Sequence, residues 1–181
     1  QSQPAVVPFA DGWALEFERS AHTLLNLQQG HGDCLRVTGP LSLAVVALLD
    51  APPTTKVSLI SKWHLRAGGR SYELGITPSS QVYFTISASG SWPERARELM
   101  STRALKTGVA YQITAVYEPG RRMALYINGF PSGQQLLGVP ESIFDSPTPV
   151  YLGNRLGGEG TSGLDGRIAR ASFYKSALGA E

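Results

Sequence analysis

Apolar and polar residues alternate one by one in short segments along this chain, and glycine or proline interrupts nearly every segment. A period of two marks a β-strand with one buried face, because successive side chains point to opposite sides of the pleat. Trp13, Leu15 and Phe17 alternate with Ala14, Glu16 and Glu18, which predicts a half-buried strand with both glutamates facing solvent. Tyr72, Leu74 and Ile76 repeat the pattern, as do Val82, Phe84, Ile86 and Ala88 against Tyr83, Thr85 and Ser87. Ile113 and Ala115, then Met123, Leu125 and Ile127, continue it. Leu41–Leu49 is apolar at nearly every position, which predicts a strand buried on both faces. Val57, Leu59 and Ser61 are expected on one face of Lys56–Lys62, and further strands near Leu24–Leu27, Cys34–Thr38, Val150–Gly153 and Arg167–Tyr174. Ser89–Thr102 reads as a long loop or weak strand, and Pro140–Phe144 as a short helical turn.

The 20 glycines and 12 prolines are therefore expected to make turns frequent. About a dozen strands at a spacing of roughly 8–12 residues predict an all-β fold with minimal helix: two antiparallel sheets packed face to face. No linker divides the 181 residues, so a single domain over 1–181 is expected. The chain begins at Gln1 without an initiator Met or signal peptide, which is read as a fragment of a larger protein.

Composition removes several classes. With 42% hydrophobic residues the chain is too apolar to be disordered. No apolar run reaches the roughly 20 residues of a bilayer span. A net charge of +2, with its bases dispersed, excludes a nucleic-acid footprint. The single cysteine, Cys34, excludes an internal disulfide and is expected as a small buried hydrophobe.

The order of motifs is specific. Gly12–Phe17 opens the chain, followed by Val37–Leu43, Leu59–Trp63, Arg70–Ile76 and Leu105–Ile113. Ala115–Tyr117, Leu125–Gly129, Val150–Asn154, Leu164–Ile168 and Phe173–Leu178 complete it. This order resembles the laminin-G-like, concanavalin A-like lectin domains that accompany secreted bacterial proteins, including sialidases and other glycosidases. The resemblance implies a jelly-roll sandwich, carbohydrate binding, and an extracellular, periplasmic or cell-surface location beside other domains of a parent protein. It also raises Ca2+ as a cofactor. Where such domains carry Asp-Gly-x-Ile-Asp-Glu, this chain reads Asp165-Gly166-Arg167-Ile168-Ala169-Arg170, and Ser71 replaces an acid common before the aromatic. Asp165, with Asn154 as a candidate partner, is the remaining metal candidate.

Catalysis finds little support. Glycoside hydrolysis uses two carboxylates across the scissile bond. Related glucanases carry Glu-x-Asp-x-Glu on one strand, whereas this chain has only Glu16-Phe17-Glu18 followed by Arg19-Ser20. His22, His31 and His64 are its histidines, and no Gly-x-Ser-x-Gly elbow accompanies them. Gly157-Gly158-Glu159-Gly160 lacks the Lys-Ser/Thr that a phosphate cradle uses and is expected as a loop.

Binding remains. A sugar presents apolar C–H faces flanked by hydroxyls, so an aromatic platform beside charged or amide groups suits it. Trp63, Arg66 and Arg70 form one candidate set, Trp92 and Arg95 a second, and Asn154 with Arg155 a third edge. Arginine clamps a carboxylate in bidentate fashion, which fits an acidic sugar such as a sialic or uronic acid. A non-catalytic carbohydrate-binding module accessory to a glycosidase is the expected function; a structural or protein-interaction spacer is the alternative.

Overall fold

The computed structural model describes residues 2–27, 35–93, 96–157 and 162–179, which form thirteen strands and no α-helix. Cys34 lies outside the described residues. Seven strands make one antiparallel sheet in the order β1 (Ala5–Phe9), β2 (Gly12–Phe17), β13 (Gly166–Tyr174), β4 (Leu41–Leu49), β9 (Ala110–Glu118), β10 (Arg122–Ile127) and β11 (Phe130–Gln135). Six make the other: β3 (Leu25–Asn26), β12 (Tyr151–Leu152), β5 (Val57–Trp63), β6 (Arg70–Ile76), β7 (Gln81–Ser87) and β8 (Ala96–Ala104). The alternation read in the sequence is the reason they stack. Leu43, Val45, Ile113, Ala115 and Leu125 of one sheet and Val57, Tyr72, Leu74, Phe84 and Ile86 of the other fill a single core.

Several expectations need correction. Leu41–Leu49 buries one face in the core but leaves Ala44, Val46 and Leu48 half-buried on the outer side. Pro140–Phe144 has no helical turn, and residues 35–38 form no strand. Ser89–Thr102, expected as a long loop or weak strand, contains β8 from Ala96 onward, while β1 and β11 carry too little alternation to be expected. Trp13 is 67% exposed rather than half-buried. Its strand lies next to the edge of the larger sheet, two places from β4.

β5 shows how one residue changes a face. A bulge between Ser58 and Ile60 leaves both Leu59 and Ile60 fully buried and shifts the alternation by one. Ser61 therefore leaves the face of Val57 and pairs with Glu73. Glu73 pairs in turn with Thr85, and Thr85 with Glu98, so four strands carry one polar row across the outer face of the smaller sheet. A second bulge at Lys62 sets Trp63 opposite Arg70 at the end of that face.

Close packing fixes two glycines. A Cβ on Gly75 would lie 2.2 Å from the Val57 carbonyl and 2.6 Å from the Tyr83 ring, so only glycine lets that ring lie on the sheet. Gly153 has φ +75° and would put a Cβ 2.1 Å from Phe17 Cδ1, where β12 leaves the sandwich.

The core sets an expected contrast. Leu74→Ala removes a fully buried side chain and is expected to cost about 2–5 kcal/mol in urea unfolding. Leu137→Ala, at a site 85% exposed, is expected to change stability by less than about 0.5 kcal/mol.

Candidate functional site

The polar row of the smaller sheet becomes the floor of a cleft of about 180 Å³. Glu73, Thr85 and Glu98 come from the row, Lys56 from the residue before β5, and Trp63 and Arg70 from the ends of β5 and β6. Leu65 adds the loop between those strands, Trp92 the β7–β8 loop, and Arg155 the connection from β12 to β13.

Burial forces the charges into pairs. Glu73 is 2% exposed, yet its carboxylate accepts from Ser58 Oγ at 2.5 Å and from Arg155 Nη1 at 3.2 Å on each oxygen. Arg155 Nε also donates to Ser162 Oγ at 3.1 Å. Burial lowers the Arg155 pKa, but Glu73 and then Tyr83 outweigh it, so the group stays above its ordinary value. Tyr83, fully buried, is held well above the usual phenol range by desolvation first and by Glu73 second. Lys56 donates from Nζ to both Glu98 oxygens at 2.6 and 2.7 Å and lies 4.8 Å from the Tyr83 ring centroid. Thr85 Oγ1 donates to Glu98 at 3.0 Å.

Arg70 is different. Among the described residues it has no carboxylate partner. One Nη2 donates to the Leu65 carbonyl, and its buried Nε has no hydrogen-bond partner. Its guanidinium sits 5.9 Å from the Trp63 ring centroid. Desolvation and then Arg155 lower its pKa. Trp63 is buried, and it meets Trp92 edge-on with centroids 6.4 Å apart and planes at 67°. Trp92 remains 45% exposed, so its ring is the accessible aromatic surface.

Of the residues singled out from sequence, Trp63, Arg70, Trp92 and Arg155 thus share one cleft. Arg66 is exposed outside that lining. Asn154 is buried, with its carbonyl on Ser61 Oγ and its Oδ1 on the Arg155 amide. Arg95 lies outside the described residues. Lys56, Leu65, Glu73, Thr85 and Glu98 were missed. The alternation at Tyr72 and Leu74 already turned Glu73 away from the core, but nothing in the sequence paired it with Arg155, 82 residues on.

Asp165 does not fit a calcium ion. Its Oδ1 accepts from the Arg19 amide at 2.7 Å and its Oδ2 pairs with the Arg19 guanidinium at 2.9 Å. A cation there would face that guanidinium, whereas calcium wants six to eight oxygen ligands. Among the described residues no group of three His, Cys, Asp or Glu side chains gathers to hold a metal. Glu16 is not free either, since Arg167 pairs with it at 3.0 Å.

A two-sheet antiparallel sandwich with a polar, tryptophan-walled cleft on one outer face is a lectin-type architecture. The chain belongs to the concanavalin A-like lectin/glucanases superfamily, whose family model matches residues 25–181. No curated protein matches it in sequence. Among solved structures, the CBM40 of the Ruminococcus gnavus IT-sialidase, bound to α2,3-sialyllactose, superposes with a TM-score of 0.70 at 15% identity, over 99% of this chain and 93% of that one. The binding domain of Paraclostridial Mosquitocidal Protein 1 gives 0.74 at 10% identity over 98% of this chain, which spans 43% of that domain. A K499G mutant of NanB sialidase from Streptococcus pneumoniae gives 0.68 at 13% identity over 92% of this chain and 26% of the enzyme. At these identities the likeness is one of fold.

The Glu73–Arg155 pair carries a prediction. Glu73→Gln leaves the Arg155 charge uncompensated in a largely buried position and is expected to cost about 3–5 kcal/mol in chemical unfolding. Glu118→Gln, whose partner Arg121 is mostly exposed, is expected to cost less than about 1 kcal/mol.

Proposed function

We propose that the chain is a non-catalytic carbohydrate-binding module whose cleft receives an acidic sugar. The observation that carries this reading is Arg70, a guanidinium with a buried, unpartnered Nε beside the exposed ring of Trp92. A sugar carboxylate pairs with the outer Nη groups of Arg70, whose charge no carboxylate among the described residues offsets, while the C–H face of the ring packs on Trp92. Lys56 and Arg155 occupy the two carboxylates that a hydrolytic pair would need free. That favours recognition, with Thr85 Oγ1, whose proton goes to Glu98, left as an acceptor for a sugar hydroxyl.

The likeness to the CBM40 of one sialidase and to about a quarter of a second sialidase chain supports an accessory role beside a secreted glycosidase, outside the cytoplasm. The alternative, a structural spacer, draws on one observation: both cleft carboxylates are already satisfied internally.

A glycan array of neutral and acidic oligosaccharides, read with calcium and with EDTA, tests the proposal. Acidic glycans are expected to bind equally in both. Arg70→Ala is expected to lower affinity at least about tenfold, as is Trp92→Ala, while Arg121→Ala, on the other sheet, leaves it within about twofold. Absence of any glycan signal would favour the spacer.

A further inference from the structure

One peptide plane at the rim of the cleft is gripped at both ends. The Arg66 N–H donates to His64 Nδ1 at 2.9 Å. The Leu65 carbonyl, in the same peptide unit, accepts from Arg70 Nη2. Because the unit is planar, its N–H and C=O turn together. We propose that His64 is a positioning residue for Arg70, acting through the Leu65–Arg66 peptide, and that this makes the anion-binding guanidinium sensitive to protons. Its bearing on sugar affinity rests on the reading of the cleft given above; the link itself does not.

The surroundings hold the ring where it can do this. His64 N donates to the Gly69 carbonyl at 2.8 Å, and Gly69 N returns to the Arg66 carbonyl at 3.2 Å, closing the turn between β5 and β6. A backbone bridge joins His64 to Leu156. A Cβ on Gly157 would lie 3.3 Å from His64 Cε1, so the ring is packed against that segment. An acceptor Nδ1 requires the neutral imidazole with its proton on Nε2. Arg66 and Arg70 are the charged groups facing the ring from its own loop. Leu156 and Gly157 bring none from the segment packed on it, and Arg155 is engaged by Glu73. Burial first, then Arg66 and Arg70, hold the His64 pKa below its ordinary value.

The sign follows. The neutral ring clamps the peptide, so the arrangement is intact above the lowered pKa and is lost as pH falls through it. Protonation turns Nδ1 into a donor facing the Arg66 N–H. The plane must then turn, and the Leu65 carbonyl leaves Arg70. Added positive charge alone would have the opposite effect and would tighten an anionic ligand.

The test needs no ligand for its first half. In 15N-labelled protein, the Arg66 amide and the Arg70 Nε–H are followed from about pH 8 to about pH 5. Both are expected to titrate together with the His64 ring. In His64→Ala both should resemble the acid form at every pH. In His64→Asn, whose side-chain oxygen accepts from the amide two residues on, both should stay flat and resemble the neutral form. An Arg70 Nε–H that ignores the titration of His64 overturns the proposal, and the wild-type and Asn data decide it even if His64→Ala does not fold. In the second half, α2,3-sialyllactose is expected to bind about tenfold more weakly at the acid end, and His64→Asn should abolish that dependence. Tighter binding at acid pH contradicts the proposal. A coupled titration without sugar binding at any pH leaves the His64–Arg70 link standing and removes the functional reading instead.

Discussion

Glu73 places a carboxylate on the outer face of a sheet whose inner face is the core, and it is almost wholly buried there. A buried charge is tolerated only with partners close around it. Ser58 and Arg155 supply them, and Arg155 comes from the connection between β12 and β13. The pair therefore ties that connection down across the sheet, helped by the bond from Ser58 N to the Ser162 carbonyl at 3.2 Å. The same demand at Glu98 draws in Lys56 and Thr85. A floor of paired charges results, walled by the loops that the pairs hold.

The cleft takes its character from what remains after pairing. Three cations line it against two carboxylates, and Arg70 is the cation left over. Its place is set by aromatic and backbone contacts instead: Trp63 beside it, the Leu65 carbonyl in front, and Trp92 meeting Trp63 edge-on. Those contacts leave donor capacity facing solvent beside an exposed indole. A partly desolvated arginine next to an aromatic plane suits an anion, which is the basis of the recognition proposed above. Asp165 is not placed to hold calcium, because Arg19 engages both of its oxygens.

The sandwich was legible in the sequence because the two-residue alternation is the physical cause of a sheet with one buried face. Faces were harder to assign than strands. Trp13 alternates with Leu15 and Phe17 as a core residue should, yet it is exposed on the strand next to the edge of the larger sheet, and no local pattern encodes a strand's place in the sheet order. Ser61 changed face through a bulge that composition does not announce. At the site, Trp63, Arg70, Trp92 and Arg155 stood out as aromatic and basic residues at strand ends and loops. Their gathering, and the roles of Lys56, Glu73 and Glu98, depend on cross-strand register and on contacts between residues as far apart as 82 positions. His64 stands out in the sequence as a candidate base beside Trp63, whereas its bond to the Arg66 amide is a property of one turn's geometry.

The central claim is that a single unpaired guanidinium gives this cleft its ligand. Calorimetric titration of the chain with α2,3-sialyllactose and with the methyl ester of the same sugar tests it most directly, because the two differ only in the charge that Arg70 would meet. Esterification is expected to weaken binding by at least about tenfold, the loss of one charge-assisted contact. Equal affinity for the acid and the ester would contradict it.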